Sequence, residues 1–266
     1  SGITLMQSDM VEQVNDTNIQ SAPALSVVVP VHNEVENIEP LIAEIMATLE
    51  GVERYEIIYI NDCSRDSTLE RLTSLDQKFK VLRVLTHQKR SGQSAAIRTG
   101  VKAARGDLIA TLDGDGQNDP EDIPKLLKAY REQAVADARI LIAGFRARRQ
   151  DSFIKRLSSK IANGIRSSLL GDATPDTGCG LKIFRREDFF DLPGFDHMHR
   201  FLPALMIRNG GQVISVEVSH RPREHGKSKY GTLDRLWVGI MDLIGVMWLK
   251  RRPINPSVNS HVEENK

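Results

Sequence analysis

The chain has 266 residues, enough for one sizeable α/β domain or at most two small ones. With 40% hydrophobic and 27% charged residues the composition is ordinary for a globular protein, and a net charge of +1 gives no reason to expect a nucleic-acid partner. Two cysteines, Cys63 and Cys179, exclude a disulfide framework and favour a reducing compartment. No apolar stretch reaches the roughly 18 to 20 residues of a conventional membrane-spanning helix.

Strand-like and helical patterns alternate through the first half of the chain. Short apolar runs predict strands at 25–31, 55–60, 81–85, 108–112 and 139–143, and three-and-four spacing of apolar residues predicts helices at 38–49, 67–75, 93–104 and 120–132. Alternation of this kind is typical of a parallel sheet with helices on both faces. Ligands of such sheets bind beyond the carboxyl ends of the strands.

The second half has a different pattern. A basic amphipathic helix is predicted at 152–170, strands at 180–184 and 213–218, and helices at 201–209 and 233–249. We therefore expect a flexible arm over 1–24, a catalytic domain over 25–230, an amphipathic helix over 231–252 and a flexible tail over 253–266.

The strongest chemical signal follows the fourth predicted strand, where the chain reads Asp113-Gly114-Asp115-Gly116-Gln117. Two carboxylates two residues apart can turn onto one hard cation, and Mg²⁺ and Mn²⁺ prefer such oxygen ligands and share them with phosphates. The alternative is a surface turn rich in Asp and Gly. A position at the end of a parallel strand favours the metal site.

Polar residues also follow the first two predicted strands. Glu34 and Asp62 stand where a carboxylate could accept hydrogen bonds from a nucleoside. The competing interpretation is helix capping, which we expect for Asn33 and Asp66. Further on, the loop Arg223 to Tyr230 places cations around a glycine, a pattern that suits a diphosphate or, alternatively, a solvated basic surface.

In this order the motifs resemble those of the inverting family 2 glycosyltransferases of the GT-A fold, and more narrowly the polyprenyl-phosphate glycosyltransferases of the dolichyl-phosphate mannose synthase type. The resemblance covers about 25–252. It is carried by Val29-Pro30-Val31-His32-Asn33-Glu34, Asn61-Asp62-Cys63-Ser64-Arg65-Asp66, Asp113-Gly114-Asp115-Gly116-Gln117-Asn118-Asp119-Pro120, Gly178-Cys179-Gly180-Leu181-Lys182 and Arg223-Glu224-His225-Gly226-Lys227-Ser228-Lys229-Tyr230.

The resemblance implies a mostly parallel, Rossmann-like sheet and a role for each matching residue. The nucleoside would contact Pro30, His32, Glu34, Ile60 and Asp62. The donor would lie against Asp113 and Gly114, the metal, Mg²⁺ or Mn²⁺, would be held by Asp115 and Gln117 with Asp113, and the diphosphate by Arg223 and Lys229. Arg146 would face the sugar or the acceptor phosphate, which makes Asp113, Asp115 and Arg146 the implied catalytic set.

The sequence departs from the family pattern at three places. His32 stands where a tyrosine is usual, Asn61-Asp62-Cys63 replaces a more usual Asp-Asp-Gly, and the segment around Cys179 matches only loosely. For this last reason no catalytic role is assigned to Lys182.

The expected reaction transfers a sugar from a nucleotide-diphosphate sugar to a polyprenyl phosphate. Alternatives are a glycan or lipid-sugar hydroxyl as acceptor, a non-catalytic nucleotide-binding regulator and a nucleotidyltransferase. An alcohol acceptor would require a general base, for which Asp172 and Asp176 are candidates. A lipid phosphate would not, and Arg148 or Arg149 beside Arg146 could orient it. Donor base, donor sugar and oligomeric state, a homo-oligomer included, stay open.

Two helical patterns indicate contact with a membrane surface. Between Arg146 and Arg166 seven basic residues accompany one acid, beside an apolar stripe. The last helix carries Trp237 and Trp248 and ends in Lys250-Arg251-Arg252, which would lie against anionic lipid. The alternative is a pair of core-packing helices with a solvated basic face. We expect a peripheral protein on the inner face of the cytoplasmic membrane.

Overall fold

A seven-stranded sheet forms the centre of the protein. The computed structural model describes residues 22–134, 138–147, 164, 166–167, 169–172, 174–222 and 232–252, the last range with side chains from 239 onward. The strands are β1 (Leu25–Val31), β2 (Tyr55–Asn61), β3 (Leu82–Thr86), β4 (Leu108–Thr111), β5 (Ile140–Phe145), β6 (Lys182–Arg185) and β7 (Gln212–Glu217). Their order across the sheet is β3-β2-β1-β4-β6-β5-β7.

The sheet is mostly parallel, and β6 is the exception. It runs antiparallel to both of its neighbours, β4 and β5, whereas the other pairs of adjacent strands are parallel. The mostly parallel sheet that was predicted is therefore confirmed, and β6 is its antiparallel member. Four residues of alternating character specify a strand face but carry no information about strand direction.

The strand order reverses between β1 and β4. From β1 the chain steps outward through β2 to β3 and then returns to place β4 on the other side of β1. Because the connections on the two sides diverge, a crevice opens at the carboxyl ends of these two strands, where ligands of open α/β sheets bind.

Helices cover both faces of the sheet, as predicted. They are α1 (Val35–Leu49), α2 (Thr68–Lys78), α3 (Gln93–Ala103), α4 (Ile123–Gln133), α5 (Arg186–Phe190), α6 (Leu202–Arg208) and α7 (Thr232–Lys250), with 3₁₀ turns at Pro120–Asp122 and Met198–Arg200. Neither α5 nor the turn at Met198–Arg200 was predicted, because each is shorter than the window in which helical periodicity can be recognised.

Alternate residues of β1 supply two separate cores. Val27 and Val29 point toward α1, α2 and α4, whereas Val28 belongs to the cluster on the other face with α3 and α6. All three valines are fully buried. At about 1.5–3 kcal/mol for each buried aliphatic side chain, the two-sided burial fixes the strand register, since a one-residue slip would exchange the faces.

Helix α7 packs against the second core near its carboxyl end. Val246 is 1% exposed, and Arg208 Nε donates to the carbonyl oxygen of Leu249 at 2.8 Å. Asp242 accepts from the ring of His197 at 3.0 Å. Within the described residues no helix combines the length and the apolarity needed to cross a membrane. Most of the predicted helix 152–170 and the side chain of Trp237 lie outside the described residues.

Candidate active site

The loops after β1 and β2 are tied to one another. Asn33 adopts a left-handed conformation, with φ of 55°, and its side-chain oxygen accepts from the backbone N–H of Arg65 at 2.7 Å. The capping role predicted for Asn33 is therefore wrong, because the residue bridges two loops. Asp66 does accept from the N–H of Thr68, the first residue of α2, at 3.1 Å, as predicted.

Asp62 fixes the loop that precedes α3. Its carboxylate accepts from the N–H groups of Ser91 and Gly92, both at 2.8 Å, and lies 2.8 Å from the ring of His87. Burial alone would raise the pKa of Asp62, but the hydrogen bonds from His87, Ser91 and Gly92 outweigh it and hold the pKa below its ordinary value. Sequence reasoning missed this loop-organising role, since the partners lie 25 to 30 residues away.

The other residues expected to contact the nucleoside lie at or just beyond the carboxyl ends of β1 and β2. His32 contacts the carbonyl oxygen of Asp62 through Nδ1 at 2.8 Å, and Glu34 accepts from Asn37 at 2.9 Å. Pro30 is partly exposed at the end of β1. Ile60 is fully buried, so its side chain belongs to the core and only its backbone faces the strand end. Their contacts with a nucleoside stay predictions.

The loop after β4 is folded tightly against β1. The N–H of Asp113 donates to the Asn118 side chain at 3.2 Å, and that of Gln117 to Asp115 at 3.2 Å. A Cβ on Gly114 would lie 2.3 Å from Val31 Cγ1, so only glycine allows the loop to approach β1 this closely. A second glycine, Gly180, is needed for the same reason, since its Cβ would lie 2.3 Å from the Asp113 carboxyl carbon.

Asp113 and Asp115 line two different cavities. Asp113 accepts from Gln93 Nε2 at 2.7 Å and lines a cavity of about 290 Å³ with Arg146 and Lys182. Asp115 lines a smaller cavity beside α1 and Arg221. Burial first, and then the charge of Asp115, raise the pKa of Asp113 to about 6. The two carboxylates are thus close enough to repel one another.

A divalent cation fits this donor set. Mutual repulsion of Asp113 and Asp115 would be relieved by a positive ion, and Gln117 in the same loop offers a further oxygen. The described residues hold no cluster of three His, Cys, Asp or Glu side chains that could bind a metal on its own. Mg²⁺ is often held by one or two carboxylates with substrate phosphates completing its shell.

Arg146 is already engaged by a carboxylate. Its Nε and Nη2 donate to the two oxygens of Asp176 at 2.6 and 3.0 Å, in the bidentate geometry of a strong ion pair. Burial by itself would lower the pKa of Arg146, but Asp176 raises it above its ordinary value. Asp172, the other candidate base, is paired with Arg166 and has a fully buried side chain. Both candidate bases are thus bound to arginines.

Three cavity residues were not predicted to act: Lys182, His199 and Arg200. Lys182 is 3% exposed and donates to the carbonyl oxygen of Cys179, and burial lowers its pKa. His199 Nδ1 lies 2.7 Å from Ser94 Oγ. Burial, followed by the charge of Arg200, lowers the pKa of His199 to about 3. One feature of the sequence could have indicated a role for Lys182: it is a lysine inside the otherwise apolar stretch 181–184, and lysines are rarely buried without a reason.

The basic loop predicted at Arg223 to Tyr230 lies outside the described residues. Arg223 and Lys229, expected at the diphosphate, lie outside the described residues, as do Arg148 and Arg149. Arg221, in the described chain just before this segment, pairs with Asp119 and Glu44, both at 2.7 Å. The chain thus enters the loop beside the cavity lined by Asp115.

Comparison with known proteins shows that enzymes of curated function match this chain over most of its length. Dodecaprenyl-phosphate galacturonate synthase of Rhizobium johnstonii is 36% identical over 253 residues, covering 92% of this chain and 73% of that protein. Undecaprenyl-phosphate 4-deoxy-4-formamido-L-arabinose transferase of Edwardsiella ictaluri is 34% identical over 228 residues, covering 84% of this chain and 66% of that protein.

Among solved structures, glucosyl-3-phosphoglycerate synthase from Mycobacterium tuberculosis has a similar fold. Its complex with Mn²⁺, UDP and phosphoglyceric acid gives a TM-score of 0.62 at 18% identity, covering 92% of this chain and 84% of that one. The family model described as "Glycosyl transferase family 2" matches residues 26–192, a span that runs from the second residue of β1 to beyond β6 and includes the loop from Asp113 to Gln117. The chain has the GT-A fold and belongs to glycosyl transferase family 2.

Proposed function

We propose that this protein transfers a sugar from a nucleotide-diphosphate sugar to a polyprenyl phosphate at a membrane surface, with Mg²⁺ or Mn²⁺ as cofactor. The observation that carries the proposal is the pairing of Asp176 with Arg146 and of Asp172 with Arg166. The two carboxylates considered as general bases therefore already form ion pairs with arginines. The cavity beside Asp113 is lined by the cationic side chains of Arg146, Lys182 and Arg200.

A phosphate acceptor suits this arrangement. An alcohol must lose its proton during transfer and needs a base, whereas a phosphate monoester already carries a charge of about −1.5 to −2 near neutral pH. Its oxygen can attack the anomeric carbon directly, and a single displacement inverts that centre. The acceptors named for the Rhizobium and Edwardsiella relatives, dodecaprenyl and undecaprenyl phosphate, are of this class.

The donor would lie in the crevice between β1 and β4. Asp115 and Gln117, with Asp113, would hold the cation, which when bound would neutralise charge developing on the leaving diphosphate. Arg223 and Lys229 are expected to contribute from the basic loop. The Mycobacterium synthase was crystallised with UDP and either Mn²⁺ or Mg²⁺, which supports the same ion classes here.

The exposed face of α7 supports membrane association. Ile240, Met241, Ile244 and Trp248 are between 42% and 58% exposed, and helical spacing places them on one side. The guanidinium of Arg252 lies 5.6 Å from the Trp248 ring, beside Lys250 and Arg251. An apolar stripe next to basic residues fits an interfacial helix on anionic lipid, and so a peripheral position on the inner face of the cytoplasmic membrane.

The test is a transfer assay with purified protein, Mn²⁺ and a panel of uridine and guanosine diphosphate sugars. We expect product with undecaprenyl phosphate and none with free sugar or glycolipid hydroxyl acceptors. Asp115→Ala should lower turnover by roughly 100-fold or more, since several kcal/mol of charge stabilisation would be lost.

Asp76→Ala, on the exposed surface of α2, is the matched control and should keep wild-type turnover. Product formed only with hydroxyl acceptors would overturn the polyprenyl-phosphate proposal. Full turnover by Asp115→Ala would overturn the metal site.

A further inference from the structure

The cavity beside Asp113 contains cations that the proposed donor site does not use. Asp113, Arg146, Lys182, His199 and Arg200 all contribute to its lining. Arg146 is the residue that family resemblance assigns to the acceptor phosphate, but Asp176 occupies its Nε and Nη2. An ion pair of this geometry has its charge already balanced, so an incoming phosphate gains little from it.

Lys182 is a buried cation that makes no direct ion pair with the described residues, although the charges of Asp113 and Asp176 act on it from a greater distance. Its side chain is 3% exposed, and the hydrogen-bond partner found for its ammonium in the described part of the chain is the neutral carbonyl oxygen of Cys179. No described carboxylate lies within ion-pair distance. Burying an ammonium that has no direct ion-pair partner costs several kcal/mol, and an anionic ligand bound in the cavity would offset part of that cost.

Arg200 adds a second available cation on the same cavity. Its side chain is exposed, and the guanidinium makes no hydrogen bond or ion pair with any residue that the structure describes. It directly follows His199, whose ring is held against Ser94 and stays neutral. Two cations without an ion-pair partner among the described residues therefore line the cavity, Lys182 from β6 and Arg200 from the 3₁₀ turn before α6.

We propose that Lys182 and Arg200 form the subsite that binds the acceptor phosphate, and that Arg146, held by Asp176, is a positioning residue. This inference rests on the proposed function. A phosphate monoester brings about −1.5 to −2 charge, which one ammonium and one guanidinium balance. Lysine supplies a point charge and arginine a planar pair of donors, the two common ways in which proteins bind phosphate.

The subsite also accounts for the chemistry of transfer. One phosphate oxygen, already ionised, forms the new bond to the anomeric carbon while the bond from that carbon to the diphosphate oxygen breaks. The electron pair leaves with the nucleoside diphosphate, and no proton has to move. Lys182 and Arg200 would hold the remaining phosphate oxygens and so fix the attacking one.

The experiment measures steady-state transfer with farnesyl phosphate as a soluble acceptor, alongside direct binding of nucleoside diphosphate with Mn²⁺. For Lys182→Met and Arg200→Ala we expect the acceptor KM to rise about 10-fold or more, the loss of one charge-assisted contact. The Kd for nucleoside diphosphate should change less than about 2-fold. Lys182→Arg, which keeps the cation, should recover part of the acceptor affinity.

Arg98→Ala is the matched control. Arg98 is an arginine of α3 for which the described residues provide no hydrogen bond or ion pair, and it lines the neighbouring cavity with Phe195 and Asp196. Its replacement should leave the acceptor KM unchanged. Because Arg200 is exposed, Arg200→Ala tests the subsite even if Lys182→Met fails to fold, which thermal unfolding would reveal.

The inference is overturned if both variants fold and keep the wild-type acceptor KM, or if they lose nucleotide affinity instead, since the cations would then belong to the donor. Failure of the proposed function looks different: the wild-type enzyme itself would not transfer sugar to farnesyl or undecaprenyl phosphate. In that case the acceptor subsite fails with it.

Discussion

The Asp113 carboxylate lies in an electrostatically unfavourable environment. The carboxylate is partly buried, faces the charge of Asp115 and accepts a hydrogen bond from Gln93 Nε2. Burial and Asp115 together raise its pKa to about 6, against an ordinary value of 3.8. A metal-binding residue of this kind costs stability in the free protein and regains it on binding.

Asp113→Asn should therefore stabilise the metal-free protein at alkaline pH. A carboxyl whose pKa is raised on folding costs no stability below about pH 4, where it is protonated in both states. Its cost grows between about pH 4 and pH 6, where the unfolded state is ionised and the folded state is still protonated, and it levels off above about pH 6. At pH 8 in EDTA we expect the free energy of unfolding to rise by at most about 3 kcal/mol, and the gain to shrink toward pH 5.

Urea unfolding at several pH values makes the measurement, with the exposed Asp76→Asn as control. A gain that is equal at pH 5 and pH 8, or larger at pH 5, would contradict the electrostatic origin of the effect. Asn keeps a side-chain oxygen that can accept the hydrogen bond from Gln93, so the substitution removes the charge of Asp113 and retains this hydrogen bond.

At the scale of single elements, α7 has two distinct faces. Val246 packs into the core with Leu243 and Met247 beside it, whereas Met241, Ile244 and Trp248 face outward. The two predicted alternatives, a core-packing helix and an interfacial helix, thus describe opposite sides of the same helix. A helix that is tied to the catalytic domain and apolar on its outer side would hold the active site at a fixed height above a lipid surface.

Ile244→Glu should weaken binding to anionic vesicles about 10-fold or more. Ile244 is 55% exposed, and withdrawing an aliphatic side chain of this size from lipid loses about 1.5–3 kcal/mol, to which the added negative charge contributes further. Co-sedimentation with vesicles containing anionic lipid measures the change.

The control is Val52→Glu, which places the same charge on another exposed aliphatic residue, 42% exposed, in the turn between α1 and β2. It should bind vesicles like the wild type. Equal loss in both variants would mean that net charge, and not the face of α7, governs attraction to the membrane.

At the scale of the whole molecule, local patterns predicted most elements and few of the contacts between them. β1 was predicted with its observed bounds, and α3 and α7 to within one residue at each end, because apolar periodicity is a property of neighbouring residues. The direction of β6 was not predictable. It depends on how the chain returns between β5 and β6, across 36 residues without a diagnostic turn.

The same limit applies to the site. Asp113, Asp115 and Gln117 could be predicted as site residues because they are close together in sequence and follow a strand. The pairing of Arg146 with Asp176 joins residues 30 apart, and that of Ser94 with His199 joins residues 105 apart. No short sequence pattern encodes such contacts. Only the folded chain shows that Arg146 forms an ion pair with Asp176, and that Lys182 and Arg200 line the cavity without a described ion-pair partner.

We expect a nucleoside diphosphate and Mn²⁺ to raise the free energy of unfolding of the whole protein only when both are present. Uridine and guanosine diphosphate, each with and without Mn²⁺, can be compared by thermal unfolding. A ligand at 100 times its Kd adds about 2.7 kcal/mol, which for a chain of this size raises Tm by roughly 5 to 10 °C. We expect that rise for one of the two nucleotides, and only when Mn²⁺ is present.

The requirement for both components follows from the geometry. Asp113 and Asp115 repel a diphosphate, and two protein carboxylates with one amide leave a cation under-coordinated, so each ligand completes the site for the other. Asp115→Ala should abolish the joint effect and leave the Tm of the free protein nearly unchanged, because Asp115 lies at a cavity surface and not in either core. A nucleotide that raises Tm equally without Mn²⁺ would show that the acidic pair does not carry the diphosphate.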